Sequence, residues 1–150
     1  MHKINFFPLA TALFCLLCVH CAGSSSSSGS TDLSREIRYN NVAKVREALS
    51  SGTNISWKDD SGNTLLHYAC QYRASTDVAE LLLARGADLQ AKNNLGYTPL
   101  HTCALNGCEN TIRVLLKAGA NKDARDNDGR TPYDRAKWVS QTTVLPLLEP

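Results

Sequence analysis

The sequence predicts an all-α fold, a short solenoid of stacked helix–turn–helix units, on three observations. A glycine-marked polar segment recurs without gaps, with 34 residues from Gly52 to Gly86 and 33 from Gly86 to Gly119. A unit of that length cannot bury a core of its own, so neighbouring copies must stack. Each copy also carries helix start and stop signals at the same offsets. Composition fits a single ordinary domain: of 150 residues, 43% are hydrophobic and 20% charged, with a net charge of +2. That charge is too small and too evenly spread for non-specific capture of nucleic acid through its phosphates.

At the N-terminus, Lys3 precedes an uncharged run over residues 6–19, FFPLATALFCLLCV. Such a run is shorter than the roughly 18 residues of a membrane-spanning helix and suits the apolar region of a signal peptide. Residues 1–22 are therefore expected to be a signal segment and 23–31, rich in serine, a flexible tether. Two outcomes stay open. One is cleavage near Ala22 or Gly23; the other is lipid attachment at Cys21, which would anchor the chain to a membrane. The second only loosely resembles the lipobox of bacterial lipoproteins, because Cys18 stands where Leu is usual and His20 where a small residue is usual. The C-x2-C-x2-C spacing of Cys15, Cys18 and Cys21 is not read as a metal site, since a segment removed or sunk in lipid cannot hold one.

The repeat domain is expected over 32–150, with units 32–63, 64–97, 98–130 and 131–150. Asn40 to Gly52 reads as the second helix of the first unit. Thr98-Pro99 and Thr131-Pro132 start helices, the threonine capping free N–H groups and the proline occupying a first turn that has no use for its missing one. Leu81-Leu82-Leu83 and Val114-Leu115-Leu116 close second helices, and Gly86 and Gly119 supply left-handed caps. Gly62, Gly96 and Gly129 mark tight turns in the polar loops. The second unit carries one extra residue between Tyr72 and Asp77 and lacks the inter-helix glycine, so its turn is expected to bulge. Pro146 is expected to end or kink the last helix.

Gly96-Tyr97-Thr98-Pro99-Leu100-His101, followed by Ala104, Gly107 and Leu115-Leu116-Lys117-Ala118-Gly119-Ala120, closely resembles the signature of the ankyrin repeat family. Thr64-Leu65-Leu66-His67-Tyr68-Ala69 resembles it with Leu for Pro, and in the last unit Asp134 replaces the histidine. The resemblance covers 32–150. It implies structural roles for His67 and His101, hydrogen-bonded within and between repeats, and buried, small-residue roles for Cys70 and Cys103. Cys108 falls at an inter-helix turn and is expected to be exposed. With three cysteines in the body, not all can pair.

No nucleophile elbow, phosphate-binding glycine loop or acid–base pair is present, so no catalysis and no cofactor are expected. Asp123, Asp126 and Asp128 lack the closing Glu of a calcium loop and read as a solvated repeat loop. What remains is surface. The resemblance implies a binding face built from loop tips and first helices. Here that face maps to Asn63, Tyr72, Leu95, Tyr97, Leu105, Asn106, Arg130 and Trp138, with Tyr39 and Gln71 beside them. Its aromatic members are of the types that dominate interfaces. The function expected is a non-catalytic module that binds another protein, not nucleic acid, in the cell envelope or after secretion. The alternatives are an accessory to an envelope enzyme such as a catalase, or a host-directed effector.

Overall fold

A computed structural model describes residues 28–149. The expected signal segment with Cys21, the candidate for lipid attachment, and Cys15 and Cys18 lie outside the described residues. The elements are α1 (Ser28–Arg38), α2 (Val42–Ser50), α3 (Leu65–Gln71), α4 (Thr76–Ala84), α5 (Pro99–Asn106), α6 (Glu109–Lys117), α7 (Pro132–Trp138), a 3-10 turn (Thr142–Val144) and α8 (Leu145–Leu148). Among the described residues there is no strand, only an isolated bridge between Lys58 and Thr64. The first helices α1, α3, α5 and α7 pack side by side in one layer, and α2, α4, α6 and the 3-10 turn form the second. Between the layers lies one continuous core, including Ile37, Leu66, Leu82, Leu100, Ile112, Leu115 and Leu148.

Two boundaries differ from the sequence reading. Helix α1 takes in residues 28–31, assigned above to the tether. They form the first turn of a helix anchored by buried Leu33 and Ile37, four residues apart and so on one face. Pro146 does not break a helix but lies in the first turn of α8. Its fixed φ and missing N–H suit a first turn.

The inter-helix turns share one geometry that only one glycine betrays. Asn40 (φ 53), Arg73 (φ 52), Gly107 (φ 65) and Ser140 (φ 59) are all left-handed. In each turn an amide bonds back five residues: Asn41 to Glu36, Ala74 to Ala69, Cys108 to Cys103 and Gln141 to Ala136. This is the Schellman closure of a helix C-terminus. The extra residue of the second unit falls after Arg73, where the Ser75 amide is taken by the Asn40 side chain at 2.8 Å.

The polar loops are equally repetitive. One side-chain oxygen accepts the backbone N–H groups two and four residues on: Asp59 from Ser61 and Asn63, Asn93 from Leu95 and Tyr97, Asp126 from Asp128 and Arg130. Successive loops then hydrogen-bond directly, the Asn94 amide to the Ser61 carbonyl (2.9 Å) and the Asn127 amide to the Leu95 carbonyl (3.2 Å). Such close stacking requires glycine at Gly96 (φ 77), where a Cβ would stand 2.6 Å from the Asn127 nitrogen. Gly129 has the same φ sign but open space around it. Gly129→Ala should therefore cost only the left-handed penalty of about 1 kcal/mol, and Gly96→Ala about 2 kcal/mol more, because backbone must shift. Urea unfolding followed by circular dichroism should show the larger fall in midpoint for Gly96→Ala.

Candidate functional site

Between the α3 and α5 units the loop tips and the helix C-terminal ends enclose a cleft of about 540 Å³. Its walls include Ser61, Asn63, Gln71, Asn94, Leu95, Tyr97, Leu105 and Asn106. Five of the eight residues mapped to the expected face thus meet, Asn63, Leu95, Tyr97, Leu105 and Asn106, with Gln71 beside them. No lysine, arginine or carboxylate lines the cleft. Leu95 is 59% exposed, with no core to fill.

The rim is held from below by a relay of histidines. The Thr64 amide lies 3.2 Å and its Oγ1 2.9 Å from His67 Nδ1, while Nε2 lies 2.8 Å from the Tyr97 carbonyl. A carbonyl can only accept, so Nε2 carries the proton and Nδ1 is the acceptor. His101 repeats this with Thr98 and the Arg130 carbonyl at 3.0 Å. Both imidazoles are fully buried, and burial pushes both pKa values below the ordinary histidine value. His67 thereby fixes the backbone on which Leu95 and Tyr97 are mounted. The Tyr97 ring in turn stacks on the His101 ring, centroids 5.8 Å apart, with the Arg135 guanidinium over it at 5.0 Å.

The remaining residues of the expected face lie elsewhere. Tyr72 stacks on Tyr68 at 5.8 Å under the Arg38 guanidinium and belongs to an aromatic cluster with Trp57. Trp138 is 66% exposed near the guanidinium groups of Arg130 and Arg135, outside the cleft. Tyr39, at the far end, is exposed as well.

Three expectations about polar residues and cysteines are corrected. Asp126 is not solvated: it is buried and paired with Arg135 at 2.5 Å, and Arg135 also reaches Asp128. Burial alone would raise the Asp126 pKa, but the hydrogen bonds from Arg135 and from the amides of Arg130 and Asp128 together hold it below the ordinary carboxylate value. Cys70 and Cys103 are not independent small side chains; they form a disulfide between α3 and α5, with Cα atoms 4.6 Å apart. Two positions packed for alanine-sized contact on adjacent helices come within bridging distance, which spacing in the sequence does not disclose. Cys108 is buried rather than exposed, its thiol donating to the Cys70 carbonyl at 3.1 Å. Burial pushes that thiol's pKa up, against the pull of nearby Arg73. Among the described residues, no group of three or more His, Cys, Asp or Glu is placed to hold a metal ion.

The geometry defines a class: stacked helix pairs whose threonine-capped first helices are tied by histidine to the next loop. A family model described as ankyrin repeats, in three copies, matches residues 10–93, 33–126 and 77–149, and the chain belongs to the ankyrin repeat family. Similar proteins include the putative ankyrin repeat protein FPV233 of fowlpox virus, 39% identical over 47% of this chain and 14% of its own length. The putative E3 ubiquitin-protein ligase XBAT35 of Arabidopsis thaliana is 32% identical over 61% of this chain and 20% of its own. Neurogenic locus notch homolog protein 1 of Xenopus laevis is 29% identical over 66% of this chain and 4% of its own. The chain spans a fifth or less of the length of these relatives. Ankyrin repeats form a protein–protein interaction module, generally without enzymatic activity.

The histidine relay sets a pH dependence. An unfolded histidine titrates near 6.5, and both folded values lie lower. Between the two values the unfolded chain binds more protons, so stability is complete above about pH 6.5 and falls as the pH drops through the folded values. Calorimetry from pH 8 to pH 5 should show a falling melting temperature. His101→Ala, which strands the Thr98 amide and the Arg130 carbonyl, should lose about 2 kcal/mol at pH 8 and flatten the slope.

Proposed function

We propose that the protein is an exported, non-catalytic binding module that grips a partner protein in the cleft between the α3 and α5 units. The reading rests on one observation: an exposed Leu95 beside half-buried Leu105 and Tyr97, around an uncharged hollow. An isolated apolar side chain on a surface needs no explanation, but apolar groups converging on a cleft with amide side chains at its edge suit an anchor residue of a partner. Gln71 is exposed, and Asn106, which gives its side-chain N–H to the Thr102 carbonyl, has an amide oxygen that can accept from a donor of the partner. The contacts available are therefore one apolar anchor and neutral hydrogen bonds rather than ion pairs.

Export is supported by two independent features. One is the apolar run over residues 6–19. The other is the disulfide, a bond that persists in oxidising compartments and is rare in a reducing cytosol. Attachment through a lipid on Cys21, in an envelope membrane, is the anchored form of this reading.

Tyr97 is unsuited to a clean test, because its ring packs on His101 and under Arg135 and its loss would disturb the relay. Leu95 makes no such contact. Leu95→Asp should weaken partner capture in intact-cell crosslinking at least tenfold while shifting the melting temperature by no more than about 2 °C. Full capture by the variant would move the binding face elsewhere. For location, Cys21→Ser should release the protein from the membrane fraction, and mass spectrometry of the mature N-terminus should find a lipid on the wild-type cysteine.

A further inference from the structure

The disulfide lies at the seam that forms the cleft. Cys70 directly precedes Gln71, and Cys103 sits between Thr102 and Leu105, all three being wall residues. Both cysteines are completely buried among Leu66, Ala69, Leu100 and Ala104 in the core. With Cα atoms 4.6 Å apart, the two positions lie near the short end of the range that a disulfide spans. Two separate thiols at these positions bring an extra hydrogen each and meet at van der Waals contact instead of bonding distance. A seam with no exposed surface and close neighbours has nowhere to put them without moving α3 from α5. Resting on the binding reading above, we propose that oxidation of Cys70 and Cys103 sets the cleft in its partner-binding shape, so that the chain is binding-competent only after it has met an oxidising compartment.

The chemistry balances as a thiol–disulfide exchange. The two thiols lose two protons and two electrons as the Cys70–Cys103 bond forms, and an incoming disulfide of an oxidoreductase takes up both and leaves as two thiols. The bridge closes before the seam is sealed, since neither sulfur can be reached afterwards. Once the fold is closed Cys108 is out of reach of the bridge's chemistry: its thiol is buried and its hydrogen is engaged by the Cys70 carbonyl. The loops opposite the seam are joined independently of the bridge, through Asn93 to Asn63 (2.8 Å) and through the Asn94 amide to Ser61. Reduction thus changes the spacing of the helix ends across the cleft more than the spacing of its loops.

Alanine separates bonding from crowding. Cys70→Ala with Cys103→Ala matches the small neighbours Ala69 and Ala104 and leaves no sulfur to accommodate, so that variant should close the seam without a bridge. The experiment compares the full chain in three forms: oxidised, refolded in dithiothreitol, and the double alanine variant with and without dithiothreitol. Peptide mapping after alkylation should label Cys108 alone of these three cysteines in the denatured oxidised chain, and all three after reduction. Amide exchange over 65–71 and 99–106 should be at least tenfold faster in the reduced wild type, and equal in the oxidised and double alanine forms. Crosslinked capture of the partner should fall at least tenfold in the reduced wild type and stay unchanged in the alanine variant under reductant. Alkylation of Cys70 and Cys103 without reduction would overturn the proposal. So would equal exchange, or equal capture, in the reduced and oxidised wild type, and so would loss of the whole helical circular dichroism on reduction, which would make the bridge a general fold staple. Retained capture by Leu95→Asp would instead sink the binding-face reading, leaving the exchange result to stand on its own.

Discussion

A buried, neutral imidazole is the contact on which the architecture turns. His67 and His101 each accept a bond from the threonine that caps their own helix and donate one to a carbonyl of the following loop. A single side chain thereby caps a helix and sets the register of the next unit. Its usefulness depends on having one acceptor and one donor on a rigid ring, and hence on staying uncharged. Asp134, at the equivalent place in the last unit, accepts from Thr131 through one carboxylate oxygen and closes its own capping box. As a carboxylate it has no hydrogen to pass on. The same substitution that preserves the local helix start therefore removes the inter-unit half of the device.

Around that relay the site is mostly a by-product of stacking. Loops joined by backbone hydrogen bonds present their tips in line, helices packed through small residues bring their C-terminal ends together, and the hollow between the two is the cleft. The electrostatics are concentrated away from it. The buried pair Arg135–Asp126, with Asp128 at its outer edge, ties α7 to the last polar loop and backs the Tyr97 ring. A pair so enclosed is costly to break on one side, because the remaining charge would be left without water or partner.

The fold was legible because its signals are periodic: Thr64, Thr98 and Thr131, the histidines, and Gly62, Gly96 and Gly129 recur at fixed offsets, each with a local physical reason. The left-handed turns between the two helices of a unit were legible only at Gly107. Asn40, Arg73 and Ser140 adopt the same backbone without the residue that announces it, since the Schellman bonds around them offset the strain. The cleft was half legible. Leu95 and Tyr97 stand out against Ser61 and Asn63 in the aligned loop, whereas Tyr72 and Trp138 carried the right chemistry for a binding face but are turned to an aromatic cluster and to guanidinium groups. Pairing of Cys70 with Cys103 and burial of Asp126 by Arg135 depend on distances across units, and a pattern within one unit holds no record of them.

The polar loops have one further consequence. Residues 61, 95 and 128 occupy the same station, and each gives its backbone N–H to the oxygen of Asp59, Asn93 or Asp126. That bond is indifferent to the side chain, and the three residues there are a serine, a leucine and an aspartate. Shape at this station is specified by a neighbour, so its own chemistry is free to drift. Mutation there can exchange one exposed chemistry for another, loop by loop, while leaving folding untouched.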